Sequence, residues 1–286
     1  MGGSHLAADL IKTWRPDFDV IIWSNYGLPP LSPKELKERL IIASSYSGNT
    51  EETIDAFELA FRKKLNVAAV ASGGKLITMA HMLKVPHVVT PSHMQPRMAL
   101  GYSLKAILKL MGEKKALADL SELARTLHPS RREKEGKMLA RKLKGSVPVI
   151  YSSFRNRSTA YNWKVKLNET GKIPAFYNVL PEANHNEMTG FDVKRSTARL
   201  SRNFHFIFLA DKEDEPRIIK RMKIMQKLFL RRGFRAEILP LRGKNVWEKI
   251  FASLNLADWT AYYTAKLYKV EAEEVPMVEE FKKMIA

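Results

Sequence analysis

The chain has 286 residues, which is long enough for two globular domains, and its 45% apolar and 27% charged content excludes a disordered protein. Lysine and arginine outnumber aspartate and glutamate by 48 to 30, yet the basic residues are spread through predicted helices without a nucleic-acid-binding motif, so we expect no nucleic-acid partner. No cysteine is present, which excludes thiolate metal sites and fits a reducing cytoplasm, and no apolar run approaches the roughly 18–20 residues of a membrane span.

The first half of the chain alternates short apolar runs with helical patterns. Strands are predicted at residues 20–23, 40–44, 66–71 and 87–90, with a helix over 51–64 between the second and third of them. This alternation predicts an α/β fold with a mainly parallel sheet. From about Met98 to Lys144 the pattern becomes helical throughout.

A second α/β region follows this helical stretch. Strands are predicted near residues 147–151, 175–178, 204–209 and 235–239, with helices between them. We therefore expect a first domain over residues 1–125, a helical linker over 126–145 and a second domain over 146–286.

A hydroxyl-rich turn, Ser45-Tyr46-Ser47-Gly48-Asn49-Thr50, separates the predicted strand 40–44 from the helix that follows it. A helix N-terminus offers free N–H groups, the three hydroxyls can converge on one phosphate, and a glycine lets the backbone approach it closely. The turn predicts an anion-binding loop, although an ordinary capped helix has the same residue types.

Three further motifs occur in order along the chain: Gln95-Pro96-Arg97, Leu167-Asn168-Glu169 and Asn184-His185-Asn186-Glu187. With the hydroxyl-rich turn, they make the chain from Gly2 to about Lys282 resemble the bifunctional phosphoglucose/phosphomannose isomerases of the sugar isomerase (SIS) domain superfamily. The resemblance implies two tandem SIS-type, doubly wound domains. In that family a strand precedes the Gly-Gly-Ser turn, whereas this sequence begins Met1-Gly2-Gly3-Ser4, so we expect the first domain to lack its usual first strand. Either this start lies downstream of the natural one, which we favour, or this homologue has lost the strand.

The resemblance implies the roles of the residues that would react with the sugar. Glu187 matches the base that moves a proton between C1 and C2, and Arg97 matches the group that stabilises the enediolate. Lys282, near the C-terminus, would assist with the sugar ring. His205, the one histidine after Glu187, would open the ring. Many relatives also carry a histidine before the Pro-Arg pair, where this chain has Glu215, and this second position is the alternative for ring opening.

The substrate-binding residues implied are Ser45, Ser47 and Thr50 for the phosphate, with Gly3 and Ser4 for the sugar. The expected function is the interconversion of glucose 6-phosphate and fructose 6-phosphate, with mannose 6-phosphate as a further substrate, through an enediol(ate) and without a metal or organic cofactor. We expect a cytoplasmic homodimer with a shared active site. Two alternatives remain open: a non-catalytic sugar-phosphate sensor, and an isomerase of another phosphosugar.

Overall fold

A computed structural model describes residues 4–285, and these residues form two compact units. The division falls between Glu122 and Leu123, inside a helix over Lys114–Thr126 (α6). Each unit contains its own parallel sheet, so the predicted α/β class is confirmed. No helix within residues 4–285 combines the length and apolar character needed to cross a membrane.

The first unit contains a three-stranded parallel sheet in the order β1-β2-β3. Its strands are β1 (Leu40–Ser44), β2 (Asn66–Ala71) and β3 (His87–Val89). Its helices before α6 are α1 (Ser4–Trp14), α2 (Pro33–Lys37), α3 (Glu51–Arg62), α4 (Gly74–Met82) and α5 (Leu100–Leu110). Its core is rich in small side chains, because Ala43 and Ala69 of the sheet pack with Phe57 of α3 and Leu76 of α4.

The predicted strand over residues 20–23 is wrong. These residues form no strand in the structure, although their apolar, β-branched sequence favours one. A strand needs a hydrogen-bonding neighbour, and β1 is the edge of the described sheet. Ile21 and Trp23 instead line a cavity of about 440 Å³ together with the residues of β1. The cavity lining does not include the hydroxyl-rich turn.

The second unit contains a four-stranded parallel sheet in the order β5-β4-β6-β7. Its strands are β4 (Val147–Ser153), β5 (Phe176–Leu180), β6 (Phe204–Ala210) and β7 (Arg235–Pro240). Its helices are α7 (Glu133–Leu143), α8 (Arg157–Glu169), α9 (Glu187–Gly190), α10 (Ala198–Ser201), α11 (Pro216–Arg231), α12 (Val246–Tyr268) and α13 (Pro276–Ile285).

The segment expected to be a linker, residues 126–145, contributes helix α7 to the second unit. Gly136 of α7 lies so close to α12 that an added Cβ would be 2.4 Å from the Cβ of Trp259. This close approach of the two helices explains the glycine at this position. Residues 133–143 are therefore packed within the second unit and do not form a separate element between the units.

The core of the second unit is aromatic. Phe206 and Phe208 of β6 and Phe229 of α11 are at most 1% exposed, and Tyr151 of β4 stacks on Phe208 with a ring-centroid distance of 5.2 Å. Burial of large side chains on a parallel sheet fixes the level of each strand against its neighbours. The loops at the carboxyl ends of these strands are therefore held on a rigid base.

Candidate functional site

The hydroxyl-rich turn of the first unit is a compact loop between β1 and α3. Ser45 is 1% exposed, its N–H donates to Val70 O (3.0 Å), and its Oγ lies 2.8 Å from Oγ1 of Thr50. Gly48 N donates to both the carbonyl oxygen (3.2 Å) and the Oγ (3.1 Å) of Ser45. Ser47 Oγ accepts from Asn49 N at 3.3 Å. The loop thus brings two of the three predicted hydroxyls into direct contact at the start of a 12-residue helix.

Gly48 is required by close contact with the loop that follows β2. Its φ is +74°, and an added Cβ would lie 1.8 Å from the carbonyl oxygen of Gly73. Leu76 N also donates to Gly48 O at 2.9 Å, and Asn49 Oδ1 accepts from Lys75 N at 2.9 Å. The predicted role of Gly48 was access for an anion, whereas the structure shows that it also lets two backbone loops touch.

Arg97 is buried in the same unit, at 3% exposure, within a short 3-10 helix over Pro96–Met98. Tyr46 connects the hydroxyl-rich turn to the segment before Arg97, because its OH donates to Pro91 O (3.0 Å) and accepts from Met94 N (3.4 Å). A buried guanidinium needs polar partners, and one of them is Gln95 Oε1 at 3.4 Å. Sequence reasoning did not identify the positioning contact made by Tyr46.

Glu187 begins α9 in the second unit, and both of its carboxylate oxygens accept a hydrogen bond. Tyr151 Oη donates to Oε1, and Asn178 Nδ2 donates to Oε2. Tyr151 of β4 and Asn178 of β5 are paired residues of adjacent parallel strands, so their side chains leave the sheet at the same level and on the same face. The two donors therefore fix the plane of the Glu187 carboxylate.

The phenol of Tyr151 is a permanent donor in this arrangement. Its side chain is fully buried, and burial, followed by the hydrogen bond to Glu187, raises the pKa of the phenol far above its usual value. Neither Tyr151 nor Asn178 was identified from the sequence. The sequence signal was a tyrosine inside an apolar strand, Val147 to Ser153. A tyrosine in such a strand buries its hydroxyl only when the hydroxyl has a hydrogen-bond partner.

The turn that precedes Glu187 is fastened by its own asparagine. Asn186 Oδ1 caps α9 by accepting from Glu187 N, while its Nδ2 donates to Glu182 Oε1 at 2.7 Å. A short 3-10 helix over Glu182–Asn184 connects this turn to the end of β5. The loop thus presents Glu187 at the carboxyl end of the sheet, where parallel α/β folds bind their ligands.

His205 does not lie with Glu187 in this unit. It is the second residue of β6, at the amino end of the sheet, and is 2% exposed. Its Nε2 lies 3.1 Å from Glu237 Oε1, and the pKa of Glu237 is lowered chiefly by this hydrogen bond. Tyr151, which donates to Glu187, pairs in register with Phe208 of β6. Phe208 lies three residues beyond His205, so at about 3.3 Å per residue His205 is about 10 Å along the strand from the level of Tyr151.

Lys282 lies on the exposed surface of α13, where its Nζ pairs with Glu279 Oε1 at 2.7 Å. Lys282 therefore contacts a residue of its own helix. In the part of the chain that the structure describes, Lys282 makes no hydrogen bond to Glu187. Gly3 lies outside the described residues, and Ser4 is described only as the first residue of α1. Within residues 4–285, no cluster of histidine and carboxylate side chains is suited to hold a metal ion.

Comparison with known proteins identifies the family. The bacterial phospho-glucose isomerase C-terminal SIS domain matches residues 132–285. A bifunctional phosphoglucose/phosphomannose isomerase of Aquifex aeolicus is 31% identical over 99% of this chain and 87% of the relative, and one of Thermoplasma volcanium is 32% identical over 100% and 90%. A hypothetical protein of Thermus thermophilus shares the fold, with a TM-score of 0.72 and 17% identity over 100% of this chain and 81% of that one. The chain belongs to the bifunctional phosphoglucose/phosphomannose isomerase family.

Proposed function

We propose that this enzyme is an aldose–ketose isomerase that interconverts glucose 6-phosphate and mannose 6-phosphate with fructose 6-phosphate. The observation that carries the proposal is the Glu187 carboxylate, which is held by Tyr151 and Asn178 from two paired strand positions. A carboxylate in a fixed plane can remove a proton from one carbon and return it to the next on the same face of the sugar.

Glucose 6-phosphate and mannose 6-phosphate are epimers at C2, and both yield the same enediol(ate) when the C2 proton is removed. One base serves both sugars if it reaches that proton in either epimer. A second base is not needed, and Glu187 is the residue that we assign to this role. The donors from Tyr151 and Asn178 restrict how far its carboxylate can rotate between the two steps.

The hydroxyl-rich turn is the proposed phosphate anchor. Ser45, Ser47 and Thr50 supply hydroxyl donors at a helix N-terminus, where the helix dipole also favours an anion. Arg97, buried at 3% exposure, is the proposed cation for the enediolate. Such a group stabilises charge that develops in the transition state, and removal of one comparable donor costs about 3–4 kcal/mol.

Lys282 keeps its proposed role of assisting with the sugar ring. Its ion pair with Glu279 is exposed on both sides, and exposed pairs contribute only about 0–1 kcal/mol, so a substrate can displace it. We do not assign ring opening to His205, because its ring is buried against Glu237. Gly3 and Ser4 keep their proposed sugar-binding role on the resemblance alone.

We further propose that the enzyme is a cytoplasmic homodimer. Helix α13 carries Met277, Phe281 and Met284 with 81%, 60% and 79% of their surfaces exposed, and such an apolar face favours a protein partner. Light scattering of the purified chain tests the dimer. A monomer at micromolar concentration would contradict it.

The test of the activity is turnover of fructose 6-phosphate, with glucose 6-phosphate and mannose 6-phosphate both assayed, by the parent chain and by Glu187→Gln. We expect both products from the parent and a loss of about 100- to 10,000-fold in kcat for the variant, with phosphosugar binding retained. Glu182→Gln is the matched control, because Glu182 lies in the same turn and contacts Asn186. Binding without turnover by the folded parent would instead indicate a sugar-phosphate sensor.

A further inference from the structure

Each unit contains a loop at the same place in a strand–loop–helix–strand segment. In the first unit the segment is β1-α3-β2, in the second it is β6-α11-β7, and in both the two strands are adjacent and parallel. Both loops open with a backbone hydrogen bond from the fourth residue to the first: Gly48 N donates to Ser45 O (3.2 Å), and Asp214 N donates to Asp211 O (3.0 Å). Asp214 therefore stands where the first unit has Gly48.

The two loops have opposite chemistry. Residues 45–50 contain hydroxyls, a glycine and an asparagine but no charged side chain. The segment from Asp211 to Glu215 contains four carboxylates among five residues. A carboxylate at this place would repel a phosphate, unless the carboxylate itself occupies the anion position.

Asp214 is held as a bound anion would be held. Its Oδ1 accepts from Ser153 Oγ (2.7 Å), Asn156 Nδ2 (3.0 Å) and Arg155 Nε (3.3 Å), and its Oδ2 accepts from Asp211 N (3.3 Å). Its side chain is 1% exposed. A hydroxyl, an amide, a guanidinium and a backbone N–H thus surround one buried carboxylate, and three of the four donors come from the last residue of β4 and the loop that follows it.

Two cations, Arg155 and Lys249, pair with the carboxylates of Asp211 and Glu213 in this loop. Asp211 Oδ2 pairs with Arg155 Nη2 at 2.7 Å, and its Oδ1 pairs with Lys249 Nζ at 2.8 Å. Lys249 also lies 2.6 Å from Glu213, and its pKa is raised by these carboxylates although burial alone would lower it. Buried charges are tolerated when they are paired and hydrogen-bonded in this way.

We propose that Asp214 is a built-in anion that fills an anion-binding position of the second unit. The carboxylate closes this unit to phosphate and leaves the hydroxyl-rich turn of the first unit as the phosphate-binding loop. This assignment deepens the proposed function and rests on it for the role of the first loop. The ligand class of the filled position is a small oxyanion, and removal of the Asp214 carboxylate opens it to one from solution.

The experiment is rescue of Asp214→Ala by sodium formate, which has the size and charge of the deleted carboxylate. Thermal unfolding of the full chain is followed in formate and in sodium chloride of equal concentration. We expect the variant to lose roughly 5–10 °C in Tm in chloride, and formate to restore at least half of that loss. The parent chain should show the same Tm in both salts.

Asp214→Asn is the matched control, since its side chain keeps the volume and one oxygen acceptor and leaves no room for formate. A Tm of Asp214→Ala that rises no more in formate than that of Asp214→Asn overturns the proposal. If Asp214→Ala cannot be isolated folded in chloride, its refolding yield is measured in both salts. Recovery in formate alone supports the proposal, and recovery in neither salt overturns it.

Binding of inorganic phosphate separates this proposal from the proposed function. Equilibrium dialysis should give one phosphate per parent chain, and Thr50→Val should weaken this site about 10-fold. Two phosphates per parent chain would overturn the closing role of Asp214. No phosphate on the parent chain, together with rescue of Asp214→Ala by formate, would contradict the phosphate role of the first loop while supporting the built-in anion.

Discussion

The loop after β1 and the loop after β6 open with the same kind of backbone hydrogen bond, between the fourth N–H and the first carbonyl oxygen, but carry different side chains. In the first, Gly48 contacts the loop after β2 with its backbone, and the hydroxyls of Ser45 and Thr50 lie together at a helix N-terminus. In the second, Asp214 sends a carboxylate into a set of donors, and Asp211 pairs with two cations. The same place in the two strand–loop–helix–strand segments therefore holds a loop left for an external anion in one unit and a loop that contains its own anion in the other.

The cores beneath the two loops also differ in the size of their side chains. The first sheet is packed with alanines, whereas the second is packed with phenylalanines around Tyr151. Small side chains let backbone segments approach closely, as Gly48 and Gly73 do. Large rings fix a hydroxyl at one point, as Tyr151 does for Glu187.

The largest expected effect breaks the close contact in the first unit. Gly48→Ala places a Cβ against Gly73 O, at 1.8 Å before relaxation, in a left-handed conformation. We expect the free energy of unfolding to fall by about 3–5 kcal/mol, from overpacking and strain together. Urea denaturation measures it. Gly145→Ala is the control, because its φ is also +74° but a Cβ there meets nothing within 4 Å, so it should cost only about 1 kcal/mol.

The next effect concerns catalysis in the second unit. Tyr151→Phe removes the donor to Glu187 and keeps the ring, so we expect kcat to fall about 10- to 100-fold, the equivalent of one hydrogen bond to a charged group, with KM changed less than about 3-fold. Steady-state kinetics with fructose 6-phosphate measures both constants. Tyr263→Phe is the control, since Tyr263 donates to Glu133 and belongs to α12. An equal loss of kcat in both variants would contradict a positioning role for Tyr151.

A smaller effect is expected on binding in the first unit. Thr50→Val removes the hydroxyl beside Ser45 Oγ and nearly preserves shape, so KM for fructose 6-phosphate should rise about 10-fold with kcat retained. Thr78→Val is the control, because its hydroxyl bonds to Gly74 O on its own helix and is exposed. A fall in kcat at constant KM in Thr50→Val would place this hydroxyl in the reaction step instead.

The smallest effect is the acid sensitivity of the carboxylate loop. The hydrogen bond from Lys249 lowers the pKa of Glu213 below its ordinary value of 4.5. The unfolded chain then binds the proton more readily, so this stabilisation is present above about pH 4.5 and is lost as the pH falls through the folded pKa. Hydrogen exchange between pH 3 and 6 should show β6 and α11 opening before β1 and α3. In Glu213→Gln the pH dependence of β6 opening should be weaker. An unchanged pH profile of exchange would contradict the contribution of Glu213 to this acid sensitivity.

The strands could be predicted from the sequence where an apolar local pattern has an adjacent strand to pair with. Seven of the eight predicted strands are present within a few residues, from β1 to β7. Residues 20–23 have an equally strong strand pattern and form none, because pairing depends on a neighbour that no local pattern reports. Among the site residues, the structure joins Ser45 to Thr50 and leaves His205 buried with Glu237.

The sequence by itself determined the α/β class, the hydroxyl-rich turn and the motif that ends in Glu187, because periodicity, turn residues and short motifs are local properties of the chain. Only the tertiary structure placed Tyr151 and Asn178 on the Glu187 carboxylate, since the register of β4 against β5 brings together residues that are 27 positions apart in the sequence. It also placed Asp214 among Ser153, Arg155 and Asn156. Such contacts depend on which strands become neighbours, and strand neighbours are chosen by the packing of the whole unit.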